Sequence, residues 1–121
     1  MTLTRLTPED HDRLVCDVSH LPHAVAAALV AMQSDDALPL AGKGFLDTTR
    51  VAGGDGGLWR DILLDNRDNV ADSIRRLRDQ LDAMLASLDA AQGEQLKTWL
   101  DAAAMRRAKL LAEKLKELNP E

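Results

Sequence analysis

Apolar positions recur along this chain at helical rather than strand spacing. Val70, Ile74, Leu77, Leu81, Leu85 and Leu88 are separated by four, three, four, four and three residues, which puts them on one face of a long amphipathic helix. Arg75, Arg76, Arg78, Asp79 and Asp82 fall mainly off that face. Gln92-Gly93 breaks the pattern, and Leu96, Leu100, Ala103, Arg107, Leu110 and Leu111 outline a last helix. The tail from Leu115 to Glu121 is expected to fray. Upstream, Thr7-Pro8-Glu9-Asp10 reads as a helix start: a capping hydroxyl, a proline at the first helical position, and acids at the positive end of the dipole. Leu14, Val15 and Val18 give that helix its stripe. Pro22 predicts a kink or break near Ser19 to Leu21, after which Ala24 to Met32 continues as a helix apolar nearly all round.

Residues 34 to 44 carry Ser34, Asp35, Asp36, Pro39, Gly42 and Gly44 and read as a connection. Phe45 to Ala52 predicts a short helix closed by Gly53 and Gly54. Asp55 caps a further helix carrying Trp59, Ile62 and Leu63. No apolar–polar alternation appears and β-branched residues are sparse. The pattern predicts an all-α fold, a helical bundle of five to six helices, as one domain over residues 1–121.

Composition narrows the function. Fifteen Lys and Arg against twenty Asp and Glu leave a formal charge of −5, which argues against a general phosphate-backbone binder. A hydrophobic fraction of 45% with 29% charged residues fits a globular domain rather than a disordered one. The aromatics are Phe45, Trp59 and Trp99 alone, too few for base-stacking platforms, so no nucleic-acid partner is expected. The longest apolar run, Ala24 to Met32, is nine residues, short of the ~20 that span a bilayer, so no membrane partner is expected. One cysteine, Cys16, precludes an internal disulfide, and no signal peptide is legible; both fit a cytoplasmic protein.

Three clusters could carry chemistry. In the first, Ser19-His20-Leu21-Pro22-His23 follows His11 and Cys16. On a regular helix Cys16, His20 and His23 would share a face, a spacing that can present metal ligands. Pro22 spoils that regularity, and capping or core hydrogen bonding around a kink is the plainer reading, so no metal is expected. An imidazole role in a site without metal stands above ligation. The second, Gly42-Lys43-Gly44-Phe45-Leu46-Asp47-Thr48-Thr49-Arg50, is not a phosphate-binding P-loop, since the order of that motif is missing. Asp47 and Arg50 lie three apart on one helix face; Arg50 suits carboxylate recognition, against the plainer reading of a surface ion pair of little weight. The third, Leu58-Trp59-Arg60-Asp61-Ile62, offers Trp59 as core anchor, pocket wall or interface anchor, with core the default. Trp99 is assigned to packing. No nucleophile–base–orienter trio and no Gly-x-Gly-x-x-Gly is present.

His11-Asp12, Ser19-His20-Leu21-Pro22-His23, Gly44-Phe45-Leu46-Asp47-Thr48-Thr49-Arg50, Trp59-Arg60-Asp61-Ile62 and Asn66, in that order, resemble the C-terminal domain of the prephenate and arogenate dehydrogenases. The resemblance covers nearly the whole chain and is densest from His11 to Asn66. It implies an intertwined homodimer and a parent enzyme that oxidatively decarboxylates prephenate to 4-hydroxyphenylpyruvate with NAD or NADP on the route to tyrosine. It further implies that Arg50 clamps a substrate carboxylate, that His23 and His20 line the pocket, and that Asp47 and Trp59 shape it. The family's Rossmann domain, which holds the nucleotide and the catalytic histidine, has no counterpart in these residues. The chain therefore reads as a C-terminal domain cut from a longer enzyme or as a split subunit. It is expected to bind no cofactor and to be inactive alone. Prephenate or arogenate is the expected substrate, with tyrosine as a candidate inhibitor. The two leucine stripes predict a homodimer burying well over ~2,000 Å². The alternatives are a stand-alone helical dimerisation or regulatory module sensing an aromatic ligand, and a metal-binding helical domain on Cys16, His20 and His23.

Overall fold

The computed structural model describes residues 5–118, which form six α-helices linked by short turns, with no strand among them. The helices are α1 (Pro8–Val15), α2 (Leu21–Ala31), α3 (Lys43–Thr49), α4 (Gly56–Asp65), α5 (Arg67–Asp89) and α6 (Gly93–Leu118). The all-α architecture expected from the spacing is the one observed. Thr7 caps α1 by accepting from the Asp10 amide at 3.1 Å, with Pro8 in the first turn. Asp55 caps α4 by accepting from the amides of Gly57 at 2.8 Å and Leu58 at 3.2 Å.

Pro22 does not break the chain. Cys16–His20 form a π-helical stretch between α1 and α2, and the Leu21 amide reaches the Cys16 carbonyl five residues back. The wider turn absorbs the proline at the start of α2, where its missing donor costs least. The resulting helical run, Pro8–Ala31, is 24 residues long with a mean hydropathy of 1.5 in its apolar window, enough by length and composition to cross a bilayer. This run is longer than the nine-residue apolar stretch counted in the sequence, because the π-helical stretch joins α1 to α2 without a break.

The short helix expected over Phe45 to Ala52 is two pieces: α3, then a 3-10 turn at Arg50–Gly53. Thr49 ends α3, buried, its hydroxyl donating back to the Phe45 carbonyl at 2.7 Å. Both pieces pack on α2. A second 3-10 turn, Leu38–Leu40, lies inside the expected connection. Between α5 and α6, Ala91 takes a left-handed conformation at φ 53°. There the Gln92 amide donates to the Ser87 carbonyl and the Ala91 amide to that of Leu88, the paired bonds of a Schellman cap. The fraying expected from Leu115 is not seen within the described residues, where α6 runs on to Leu118.

The described chain divides into two compact units, one of residues 6–76 and a second that takes Arg5 together with the residues from Leu77, within α5, onward. In the first, Cys16, Ala26 and Val70 form the apolar core, and His23, Thr49 and Ser73 are buried with them. In the second, no described residue is buried. Its apolar side chains (Leu81, Leu85, Leu88, Leu100, Leu110 and Leu111 among them) stay about half exposed. Within it, Trp99 donates from Nε1 to Gln80 Oε1 at 3.1 Å and Ser87 donates to Gln95 at 3.0 Å.

Candidate functional site

The π-helical stretch decides where the first cluster points. A widened turn offsets every later side chain from the register of a regular helix, so Cys16, His20 and His23 face three different neighbours. Cys16 is fully buried beside Ser73; burial holds its thiol above the ordinary range, with the Ser73 hydroxyl offsetting part of that. His20 meets Asn66, and His23 meets Trp59. Among the described residues, no three His, Cys, Asp or Glu side chains converge as a metal site would require. The geometry does not favour the metal-binding alternative.

Three of the five residues singled out in the sequence do come together. The His23 ring stacks on Trp59 with centroids 3.7 Å apart and planes 14° from parallel. His20 meets the same indole edge-on, at 6.3 Å and 82°. Trp59 is half-buried, so it is a wall shared by two imidazoles rather than a core anchor. Gly54 makes the stack possible. A Cβ there would lie 3.0 Å from Trp59 Nε1, 3.1 Å from Trp59 Cδ1 and 3.3 Å from His23 Cε1.

His23 is 7% exposed, and its Nδ1 is buried without a hydrogen-bond partner. A buried lone pair is tolerated better than a buried orphan N–H, which favours the Nε2–H tautomer of a neutral His23. His20 is held by Asn66, a residue present in the sequence motif but given no role there. Asn66 Nδ2 lies 3.3 Å from His20 Nδ1 and donates to the Asp12 carbonyl at 2.9 Å. Asn69 Nδ2 donates to Asn66 Oδ1 at 2.8 Å.

Asp47 and Arg50 are not part of this cluster. Asp47 is exposed and pairs with Lys43 at 2.7 Å, one turn back along α3, instead of with Arg50. Arg50 falls beyond the end of α3, exposed, its guanidinium without an ion pair or hydrogen bond to any described residue. It opens the 3-10 turn Arg50–Gly53, after which Gly54 abuts the Trp59–His23 stack.

A second cluster, missed in the sequence, anchors the π-helical stretch to α5. Asp17 accepts two bonds from the Arg76 guanidinium, 2.6 Å from Nη2 and 3.3 Å from Nη1, and a third from the Ser73 hydroxyl at 2.8 Å. Asp72 accepts from Arg76 Nε at 3.0 Å. The guanidinium first, then the hydroxyl, holds the Asp17 carboxyl below its ordinary value of 3.8.

The sequence profile described as "Prephenate dehydrogenase, dimerization domain" matches residues 7–102. This chain belongs to that family. The match contains every residue of the histidine–tryptophan cluster and the first two turns of α6. Prephenate dehydrogenase of Bacillus subtilis is 36% identical over 97 residues, which cover 75% of this chain and 26% of the relative. The chain thus spans about a quarter of the length of that curated relative. Among solved structures, Synechocystis arogenate dehydrogenase superposes with a TM-score of 0.81 at 32% identity, over 90% of this chain and 42% of the other. Prephenate dehydrogenase from A. aeolicus, in complex with hydroxyphenyl propionate and NAD+, gives 0.80 at 35% identity, over 90% and 40%. At these identities the dimerization-domain likeness is one of sequence as well as fold.

Proposed function

We propose that this chain supplies the dimer interface and part of the substrate pocket of a prephenate dehydrogenase, an enzyme that converts prephenate, or the related arogenate, by oxidative decarboxylation with NAD or NADP. The observation that carries the reading is the Trp59 indole clasped between His23 and His20. It presents a flat apolar surface to a ring-bearing substrate and sets imidazole donors beside it for that substrate's oxygens. The Arg50 guanidinium, free of protein partners among the described residues, is available to take a carboxylate in a bidentate, charge-assisted contact. Asp47 pairs with Lys43 on the exposed surface of α3, and the structure supplies no contact that carries its expected role in shaping the pocket.

The nicotinamide cofactor would supply the hydride acceptor. The described residues do not fit it, since none forms the strand–glycine–helix unit that binds a dinucleotide. The nucleotide site and the catalytic histidine are therefore assigned to a separate module, and this chain's residues bind and orient substrate only. Tyrosine, which like the substrate carries a para-hydroxylated six-membered ring and a carboxylate on the ring's side chain, is proposed as an inhibitor of the assembled pocket.

The test joins this chain to the nucleotide-binding domain of a relative and follows NADH formation from prephenate. The joined enzyme is expected to turn over, and the chain alone is not. Arg50→Ala in the joined enzyme is expected to raise KM more than tenfold, because the substrate carboxylate then loses its cation. An unchanged KM contradicts the role given to Arg50, and turnover by the chain alone contradicts the division of labour.

A further inference from the structure

His20 is held by a network that comes from three separate segments, and that network dictates which of its nitrogens carries the proton. The Asp12 carbonyl belongs to α1, His20 closes the π-helical stretch, Asn66 follows α4, and Asn69 lies in the first turn of α5. A backbone carbonyl can only accept. The atom of Asn66 that lies 2.9 Å from it must therefore be the amide nitrogen. The reversed amide would set two acceptors against each other there. The other end of the amide, Oδ1, is already filled by the Asn69 donor at 2.8 Å. The second hydrogen on Asn66 Nδ2 remains, and what lies 3.3 Å from that nitrogen is His20 Nδ1. A donor facing Nδ1 requires a lone pair on it.

We propose that Asn66, clamped by Asp12 and Asn69, is a positioning residue that locks neutral His20 as its Nε2–H tautomer. His20 then offers a hydrogen-bond donor beside Trp59 to a carbonyl or carboxylate oxygen of the ligand. His20 Nε2 makes no hydrogen bond to any described residue, so this donor is uncommitted. The role for a ligand rests on the substrate-pocket reading above, whereas the tautomer assignment stands on the network alone. Asn66 acts through His20 and is not itself assigned contact with substrate.

The test is a long-range ¹H–¹⁵N correlation spectrum of the full chain with labelled histidine, recorded at a pH where the rings are neutral. Nδ1 of His20 is expected to show the shift of an unprotonated nitrogen and Nε2 that of a protonated one. Asn66→Asp replaces the donor with an acceptor and is expected to move the proton to Nδ1. Asn66→Ala is expected to release the ring to a mixture of tautomers. A proton on Nδ1, or a mixture of both forms, in the unsubstituted chain overturns the proposal whether or not either variant folds. So does an unchanged His20 pattern in a folded Asn66→Asp chain, with the fold checked by circular dichroism. The dimer and the prephenate activity of the joined enzyme are read separately, so failure of the tautomer assignment is distinguishable from failure of the pocket reading.

Discussion

Gly54 is the tightest point of the site. A methyl group there would press into both the Trp59 indole and the His23 ring, at 3.0 to 3.3 Å. Because the stack is held on its other side by α2, the rings cannot yield without parting. Gly54→Ala is expected to cost about 1–3 kcal/mol, the range of an overpacked contact, and to change the near-ultraviolet dichroism of tryptophan. A variant with the parent's melting temperature and tryptophan signal would show that the stack is not close-packed. At this scale much of the site was legible. His20, His23 and Trp59 were singled out by the family resemblance of their motifs, whereas spacing alone favoured capping or core roles for the two histidines and a core role for Trp59. Asn66 stood in the motif without a role and Asp17 was not singled out, because their partners lie 46 and 59 residues away in sequence. Asp47 was assigned the wrong neighbour. On α3 its carboxylate reaches Lys43 one turn back, and the helix ends before Arg50 can take the same face.

Between elements, the bond from the π-helical stretch to α5 is the clearest electrostatic tie. Asp17 receives the Arg76 fork and the hydroxyl of fully buried Ser73. Its carboxyl is depressed below 3.8 in the folded chain, so the folded state binds fewer protons than the unfolded state in that window. Asp17 therefore contributes its full stability above about pH 4, and that contribution is lost as pH falls through the lowered folded value. Melting temperatures measured from neutral pH down to pH 3 are expected to drop more steeply in the parent than in Asp17→Asn. Parallel acid profiles would contradict the coupling. The helices themselves were legible from periodicity, capping residues and glycine turns, because those signals act within one or two turns. The outcome at Pro22 was not. Proline announces that the regular ladder must fail, but a break and a widened turn both answer that demand. Packing against Ser73, Asn66 and Trp59 selects the widened turn.

At the scale of the whole molecule, the helices beyond Leu77 bury nothing of their own among the described residues, although they carry leucines at regular helical spacing. Two helices with half-exposed apolar faces do not hold together in water without something to cover them, since helix stability in proteins comes mainly from packing an apolar face. The family to which the chain belongs is named for dimerization, and we assign that covering to a second copy. This also accounts for what periodicity could and could not convey: a stripe shows that a face is to be buried, not by which chain. The most direct measurement is the molar mass of the intact chain at micromolar concentration by light scattering, together with Leu81→Glu/Leu85→Glu. A mass of twice the 13.2 kDa chain, lost in the double variant, is the expected result. A parent chain that stays at 13.2 kDa would contradict the account.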